Sequence, residues 1–319
     1  MEENLLEIKN LHVHYITDNE IVKAVNGIDL YLKKGESLGL VGETGAGKTT
    51  TALSIMQLVP DPPGVITDGE IIFKNKNLIY NTDKENQEMR GNGISMIFQD
   101  PMTALNPIMT IGEQLEEVVI KHKKASKHEA KKIAVGFLET VGVRSDRYND
   151  YPHQFSGGMK QRVVIAMSLL CNPEILIADE PTTALDVTIQ AQVLKIIKEL
   201  INKYNMSMLL ITHDLGVVAE TCDRVAIMYA GEIVETGSVY EVYKYPKHPY
   251  TRGLFDSIPK LDIDEEKLVP IEGLIPNSAD LPCGCHFHPR CKYKQDICKT
   301  IEPEIKGEDH LYKCHFSLF

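Results

Sequence analysis

Gly42-Glu-Thr-Gly-Ala-Gly-Lys-Thr49 is a glycine-rich stretch that follows the pattern G-x-x-x-x-G-K-[ST]. Residues 37–41 before it are typical of a buried strand, and residues 50–56 after it are typical of the start of a helix. Glycines permit a tight turn in which backbone N–H groups and the positive end of a helix dipole face an anion. The stretch therefore predicts a phosphate-binding loop between a strand and a helix.

The last residues of this loop carry side chains that suit a nucleoside triphosphate with its magnesium ion. The ammonium of Lys48 is expected to pair with the β- and γ-phosphates, and the hydroxyl of Thr49 is expected to bind Mg²⁺. A glycine-rich turn that matches by chance is the alternative, and the flanking strand and helix disfavour it. The predicted contacts to the nucleotide are Gly42, Glu43, Thr44, Gly45, Ala46, Gly47, Lys48, Thr49 and Thr50.

The composition is that of a globular protein of 319 residues with a formal net charge of −11. This charge argues against a nucleic-acid partner, which needs a basic face. The longest strongly apolar run, 163–171, is far shorter than the ~20 residues of a membrane helix. The acidic amino terminus lacks the apolar segment of a signal peptide. A cytosolic protein with one large domain and an appendage, or with two domains, is the expectation.

Strand-like and helix-like segments alternate along the chain. Residues 5–15 and 24–32 predict an antiparallel pair of strands. Further strands are predicted at 70–73, 94–98, 175–178, 208–212 and 224–229, with helical segments at 111–150, 158–171 and 188–204. Such alternation predicts a mainly parallel sheet with helices on its faces. Prolines from Tyr245 onward predict a separate carboxyl-terminal tail.

An acidic pair, Asp179 and Glu180, follows the buried strand predicted at 175–178. Open α/β sheets place their ligands at the carboxyl ends of their strands. Asp179 can hold Mg²⁺ directly or through water, and Glu180 can orient or deprotonate a water that attacks the γ-phosphate. Two acids that simply begin a turn before Pro181 are the alternative, and the phosphate loop earlier in the chain makes it the weaker one.

The set of motifs and their order resemble those of the ATP-binding subunits of ABC transporters. This resemblance implies an α/β fold: a P-loop NTPase (RecA-like) nucleotide-binding domain with an antiparallel β subdomain and a helical subdomain. The matching segments are Phe155-Ser-Gly-Gly-Met159 for the signature sequence, Gln99 for the glutamine loop, Ala184-Leu-Asp186 for the D-loop, His213 for the switch histidine and Tyr15 for the adenine-stacking aromatic.

The same resemblance implies a role for each motif. Ser156, Gly157 and Gly158 bind the phosphates of an ATP that the loop of a second subunit holds, so two nucleotides lie between two such domains. Phe155 and Met159 depart from the commonest signature, which has Leu and Gln there. Catalysis is assigned to Glu180, His213 and Gln99, Mg²⁺ binding to Thr49, Gln99 and Asp179, and further nucleotide contacts to Tyr15 and Asp186.

Asp100-Pro-Met-Thr-Ala-Leu-Asn-Pro107 and His248-Pro-Tyr-Thr251 resemble the oligopeptide/dipeptide permease branch of the family. The branch implies an importer with a second, usually different, ATPase subunit, two transmembrane permeases and an extracytoplasmic binding protein, with this chain peripheral on the cytoplasmic side of the membrane. Residues 100–107 are expected to contact a permease. Import of nickel or another small solute, a soluble ABC ATPase without a transporter, and a redox or metal sensor are the alternatives.

The predicted domains are 1–250, with a helical subdomain at about 101–165, and an extension at 251–319.

The extension carries the spacing Cys285-x5-Cys291-x6-Cys298-x15-Cys314, which does not match the short C-x2-C pattern of common zinc ribbons. Members of the permease branch with tails of this pattern hold a [4Fe–4S] cluster, and the resemblance implies the same centre here. Zinc bound by these cysteines, or by a mixture with His286, His288 and His315, is an alternative, as are unliganded thiols. Cys283 is a fifth thiol without an assigned role.

Overall fold

The computed structural model describes residues 4–183, 186–257 and 270–318. The strands in these ranges are β1 (Asn4–Ile16), β2 (Ile21–Lys33), β3 (Ser37–Val41), β4 (Gly64–Phe73), β5 (Lys76–Asn77), β6 (Ile94–Ile97), β7 (Ile175–Asp179), β8 (Ser207–Thr212), β9 (Arg224–Tyr229), β10 (Glu232–Ser238), β11 (Ile305–Lys306) and β12 (Leu311–Lys313). The α-helices are α1 (Lys48–Ile55), α2 (Asp83–Met89), α3 (Pro101–Ala104), α4 (Ile111–Lys123), α5 (Lys127–Thr140), α6 (Gly157–Leu169), α7 (Val187–Tyr204), α8 (Leu215–Thr221), α9 (Val239–Lys244) and α10 (Pro249–Asp256).

These elements belong to two compact units. The first, called the helical unit here, comprises Lys33–Ser37 and Tyr80–Ile211. The second, called the phosphate-loop unit, comprises Asn4–Leu32, Leu38–Ile79 and the chain from Thr212 onward. The predicted boundary at 250/251 falls inside helix α10.

A four-stranded sheet in the order β2-β1-β4-β5 lies in the phosphate-loop unit. Strand β1 pairs with β4 in antiparallel register, from Leu6 opposite Phe73 to Tyr15 opposite Gly64. Leu6 and Ile8 of β1 are buried before the register shift at Lys9–His12, and Leu11 and Val13 are buried around and after it, so one face of the sheet lies on a core. The predicted neighbouring strands at 5–15 and 24–32 are thus present, and each is slightly longer than predicted.

A second sheet portion of this unit carries the phosphate loop. Strand β3 pairs with β9 in parallel, β9 with β10 in antiparallel, and β12 joins β10 to β11. The prediction of a separate tail is therefore wrong in one respect, because residues 305–313 extend the same sheet. Glu235 on β10 helps to explain the attachment, because its buried carboxylate lies 2.6 Å from Nε2 of the buried His310.

The helical unit contains the parallel strands β6, β7 and β8. Ile94 lies opposite Ile175, and Ile175 lies opposite Ser207. The predicted parallel arrangement is confirmed for these strands, which are almost entirely buried. Helices α3 to α6 begin within the predicted helical subdomain at about 101–165, and the lysines of α4 and α5 are exposed.

Candidate functional site

The phosphate loop connects strand β3 to helix α1 within the phosphate-loop unit. Strand β3 is buried along its whole length, so the loop begins from a fixed point. Lys48 is only 6% exposed, and its ammonium donates to the carbonyl oxygens of Gly42 at 2.7 Å and Glu43 at 3.1 Å. The ammonium predicted to pair with phosphate is therefore hydrogen-bonded to the backbone of its own loop.

Three glycines shape this loop for different reasons. A Cβ on Gly42 would lie 2.2 Å from the carbonyl oxygen of Met228, so strand β9 approaches too closely for any side chain. Gly47 adopts φ 106°, and a Cβ there would lie 2.4 Å from the carbonyl oxygen of Ala24. Gly45 also has a positive φ of 82°, but the space beside it is open. Gly42 and Gly47 are thus required by contacts, and Gly45 only by its backbone conformation.

Helix α1 begins at this loop with Gly47 as its N-cap and without an acidic residue in its first turn. The first backbone N–H groups of a helix have no partners within the helix, and the dipole places partial positive charge there. Thr44, Gly45 and Thr49 are exposed at this helix start, whereas Ala46 is buried. The arrangement is suited to receive an anion.

Two further predicted contacts lie in the phosphate-loop unit. The hydroxyl of Tyr15 lies 3.4 Å from Oγ1 of Thr50 on helix α1, so the predicted adenine-stacking ring and the predicted phosphate-binding helix are adjacent. His213 follows strand β8 directly and is exposed. It precedes Asp214, whose carboxylate caps helix α8 by accepting from the N–H groups of Gly216 and Val217.

The acidic pair lies at the carboxyl end of β7 in the helical unit. Asp179 is 1% exposed, and Glu180 adopts φ 44°, a left-handed conformation that is uncommon for a residue with a side chain. The Glu180 carboxylate accepts hydrogen bonds from Nε2 of Gln99 at 3.0 Å and from the hydroxyl of Thr183 at 3.0 Å. The structure thus brings together two side chains that the resemblance assigns to catalysis, and it adds Thr183, which no sequence signal indicated.

The signature segment forms the start of helix α6 in the same unit. Ser156 is the N-cap and accepts from the N–H of Met159 at 3.4 Å, while Gly157 begins the helix. A Cβ on Gly158 would lie 2.7 Å from Ile189 of helix α7, so glycine allows the two helices to approach. Asp186 caps α7 by accepting from the N–H of Ile189 at 3.0 Å. Ala184 and Leu185 of the predicted D-loop lie outside the described residues.

Glu43, the second residue of the phosphate loop, is bound by the carboxyl-terminal extension. Arg290 Nη1 and Nη2 donate to the two carboxylate oxygens of Glu43 at 2.7 and 3.1 Å. Burial works against the charge of Arg290, but its hydrogen bonds and charge interactions with Glu43 and Tyr229 together outweigh this effect and raise its pKa above the usual range. Sequence reasoning missed this contact, because 247 positions separate the two residues and neither belongs to a pattern that links them.

The four predicted cysteine ligands border one cavity in the extension, together with His288 and His315. Burial raises the pKa of Cys285 to about 12, and the neighbouring thiols of Cys314, Cys291 and Cys298 contribute. Burial also raises the pKa values of Cys291 and Cys314. The cavity volume of about 20 Å³ is room for about one water or ion.

The side chains around this cavity are not arranged as a metal site. In the described parts of the chain, no group of three or more His, Cys, Asp or Glu side chains is placed to hold a metal ion. Nε2 of His315 lies 2.8 Å from the carbonyl oxygen of Ile301, and Nδ1 of His288 lies 3.0 Å from that of Cys285. His286 lies elsewhere, 3.4 Å from Glu232, and Cys283 is exposed.

Comparison with known proteins places these observations in a family. A family model described as "ABC transporter" matches residues 25–183, and one described as "Oligopeptide/dipeptide transporter, C-terminal region" matches residues 234–298. The dipeptide transport ATP-binding protein DppD of Bacillus subtilis is 50% identical over 316 residues, which cover 98% of this chain and 94% of that protein. The oligopeptide transport ATP-binding protein AppD of the same organism is 52% identical over 303 residues, covering 94% and 92%.

Solved structures show the same relationship at the level of the fold. The ATP-binding cassette MJ0796, determined as a dimer bound to ADP and phosphate, matches with a TM-score of 0.66 and 30% identity over 73% of this chain and 98% of its own. The cbiO1 protein of Clostridium perfringens matches with a TM-score of 0.64 and 27% identity over 76% and 92%. The fold is therefore that of an ABC ATPase cassette. Within that class, the chain belongs to the ATP-binding subunits of oligopeptide/dipeptide ABC transporters.

Among the described helices, none combines the length and apolar character that a membrane crossing needs.

Proposed function

We propose that this chain hydrolyses ATP to drive the import of dipeptides or oligopeptides through a membrane permease. The observation that carries the proposal is the identity of about half of all positions, over nearly the whole chain, with transport ATP-binding proteins named for dipeptides and oligopeptides. The match to the oligopeptide/dipeptide C-terminal region at 234–298 supports the same substrate class. Nickel or another small solute is the alternative cargo.

The ATPase chemistry is assigned residue by residue. Glu180 orients or deprotonates the attacking water, and its hydrogen bond with Gln99 supports this role because the amide fixes the carboxylate. Lys48 pairs with the β- and γ-phosphates, and His213 contacts the γ-phosphate. By the family resemblance, Thr49, Asp179 and Gln99 would hold Mg²⁺, and the nucleotide would also contact Tyr15, Gly42, Glu43, Thr44, Gly45, Ala46, Gly47, Thr50 and Asp186.

A second ATPase subunit completes each nucleotide site in this proposal. Ser156, Gly157 and Gly158 bind the phosphates of the ATP that the partner's loop holds. The start of helix α6 supports this role, since it has no acidic residue in its first turn and can face an anion. The dimeric structure of the related cassette MJ0796 with ADP and phosphate is consistent with such a pair.

Membrane permeases dock on the helical unit next to Gln99. The segment 100–107 is flanked by apolar side chains in solvent, with Phe98 44% exposed and Ile108 82% exposed. Large exposed apolar side chains of this kind mark contact surfaces. In this proposal the chain is peripheral on the cytoplasmic side of the membrane. Its conformational change on ATP hydrolysis is transmitted to two permeases, and an extracytoplasmic binding protein delivers the solute. The net charge of −11 leaves no role for nucleic acid.

The test compares the wild-type transporter complex with a Glu180→Gln variant in vesicles loaded with MgATP. The variant keeps the size and shape of the side chain but replaces the basic carboxylate with a neutral amide, so the steady-state ATPase rate and dipeptide uptake should fall by about 10²- to 10⁴-fold while ATP binding persists. Turnover near the wild-type rate would contradict the assignment of Glu180. Uptake of nickel, but not of dipeptides or oligopeptides, would contradict the proposed cargo.

The cysteines of the extension are proposed to hold a metal centre, with [4Fe–4S] as its predicted identity. Four thiols around one cavity support this proposal, because soft sulfur ligands select iron–sulfur clusters or zinc. When bound, the centre would act as a structural clip for a segment too small to support its own core.

Metal analysis of protein purified without oxygen decides among the alternatives. Four irons per chain with a brown colour are expected, and the Cys298→Ser variant should lose iron and melt at a lower temperature. One zinc per chain in a colourless sample would contradict the iron–sulfur cluster and support the zinc site. A sample without metal, whose four thiols all react with a thiol reagent after unfolding, would overturn the metal centre altogether.

A further inference from the structure

The contact between Arg290 and Glu43 has the geometry of a clamp on the phosphate loop. It is bidentate, with N–O distances of 2.7 and 3.1 Å, and the Arg290 side chain is only 4% exposed. Nε of Arg290 also donates to the carbonyl oxygen of Glu272 at 3.2 Å, so the guanidinium is fixed from the side of the extension as well. A planar guanidinium with this many partners has little freedom to move.

The backbone of Glu43 is held by helix α10, which leads into the extension. Its N–H donates to the hydroxyl oxygen of Tyr250 at 3.0 Å. Tyr250 is fully buried, and its ring contacts those of Tyr229 and Phe287 at centroid distances of 4.6 and 5.4 Å. Both the side chain and the main chain of this loop residue are therefore anchored to the packed interior of the phosphate-loop unit.

The anchored residue stands at the start of the loop, and the residues after it are open. A Cβ on Gly42 would lie 2.2 Å from the carbonyl oxygen of Met228, whereas Thr44 and Gly45 are exposed and nothing lies within 4 Å of the Cβ position of Gly45. The contacts of Glu43 thus restrict the start of the phosphate loop, whose next residues are open to solvent. A loop held in its binding conformation loses less conformational entropy when it closes around a phosphate.

We infer that Arg290 is a positioning residue for nucleotide binding, and that it acts by holding Glu43 so that the phosphate loop is ordered before ATP arrives. The carboxyl-terminal extension then sets the affinity of the loop, although Arg290 itself touches no phosphate. This inference rests on the proposed function, because it requires that the loop binds ATP.

The experiment measures MgATP affinity of the purified full chain, together with KM and kcat of the assembled transporter. Arg290→Met removes the donor, and Arg290→Lys keeps the charge but cannot make the bidentate contact. Either change should raise the dissociation constant and KM by on the order of tenfold, with kcat at saturating ATP much less affected. If Arg290 acts through the Glu43 carboxylate, Arg290→Met should weaken MgATP binding much less in a Glu43→Gln background than in the wild type.

Arg252 provides a matched control. Its Nε donates to both carboxylate oxygens of Asp256 at 3.1 and 3.2 Å, so this pair lies within helix α10 and does not involve the phosphate loop. Arg252→Met should leave MgATP affinity unchanged. A purely structural role for Arg290 predicts a lower melting temperature with an unchanged KM in the folded protein.

Hydrogen exchange of residues 42–48 without nucleotide supplies a second readout. Faster exchange in Arg290→Lys than in the wild type is expected if the clamp orders the loop, and this comparison remains available if Arg290→Met does not fold. Unchanged exchange and affinity in a folded Arg290→Lys protein would overturn the inference. Failure of the wild type itself to bind MgATP would instead overturn the proposed function.

Discussion

Helix α1 of the phosphate-loop unit and helices α4 and α5 of the helical unit start in opposite ways. Helix α1 follows Gly47, which has no side chain to cap it, and has no acid in its first turn. Helix α4 starts with a capping box in which the Thr110 hydroxyl accepts from the N–H of Glu113 and the Glu113 carboxylate accepts from the N–H of Thr110. Helix α5 repeats this arrangement with Ser126 and Glu129.

The difference separates helix starts that stabilise the fold from a helix start that is suited to bind a ligand. At α4 and α5 an internal carboxylate satisfies the N–H groups and complements the dipole. Hydrogen bonds from the backbone and side chain of Thr110 lower the pKa of Glu113, as expected for a carboxylate held in its charged form. At α1 the corresponding position is left to an anion from outside the chain. Helix α6 at the signature lies between these cases, since Ser156 caps it but no carboxylate follows.

The largest effect on this comparison is expected from Gly47→Ala at the start of α1. The φ of 106° is unfavourable for alanine, and the added Cβ would lie 2.4 Å from the carbonyl oxygen of Ala24. The free energy of unfolding should fall by roughly 2 kcal/mol or more, and MgATP affinity should fall by at least about tenfold because the loop must shift. Denaturant unfolding and nucleotide titration measure the two quantities.

Two other glycines give matched controls for this substitution. Gly45→Ala shares the positive φ but adds its Cβ in open space, so it should cost only about 1 kcal/mol. Gly136→Ala lies within helix α5 with nothing near the new Cβ, and it should stabilise the protein by roughly 0.5–1 kcal/mol. Equal losses in Gly47→Ala and Gly45→Ala would show that the contact with Ala24 does not shape the loop.

A smaller effect is expected from Thr110→Ala at the start of α4. Loss of the capping hydroxyl should lower the free energy of unfolding by about 1 kcal/mol and leave MgATP affinity unchanged. Because the pKa of Glu113 is lowered in the folded protein, its stabilising contribution is present at neutral pH and is lost as the pH falls through the carboxylate range. The difference between wild type and variant should therefore narrow on acidification. A change in the MgATP affinity of Thr110→Ala would contradict the conclusion that the start of α4 serves only stability.

Most of the regular elements follow from local sequence. The strand at 37–41, the strand ending at Asp179 and the helix after Ser156 occur within a residue or two of their predicted positions. The strand at 232–238 and the helix at 215–221 were missed. The attachment of residues 305–313 to strand β10 was missed as well, because two- and three-residue strands carry no periodicity of their own.

The contacts around the site were less predictable than the motifs themselves. Gln99 and Glu180 were each assigned a role by resemblance, but only the fold shows that they share a hydrogen bond. Thr183 and Arg290 stand in segments whose local pattern says nothing about a partner. The four cysteines were grouped by their spacing, and the fold places them around one cavity without the geometry of a metal site among the described residues.

The sequence by itself determined the phosphate loop, the acidic pair, the signature segment and the family. The phosphate loop and the acidic pair each depend on residues within a few positions of one another, so glycine placement and hydrophobic pattern are enough to specify them. The signature segment and the family follow instead from the resemblance of the ordered motifs to those of ABC transporter ATP-binding subunits. Only the tertiary structure decided that Arg290 and Tyr250 hold Glu43, and that the extension completes the sheet beside strand β10. Such pairings depend on how segments that are far apart in the chain come together, and local sequence propensity contains no information about those contacts.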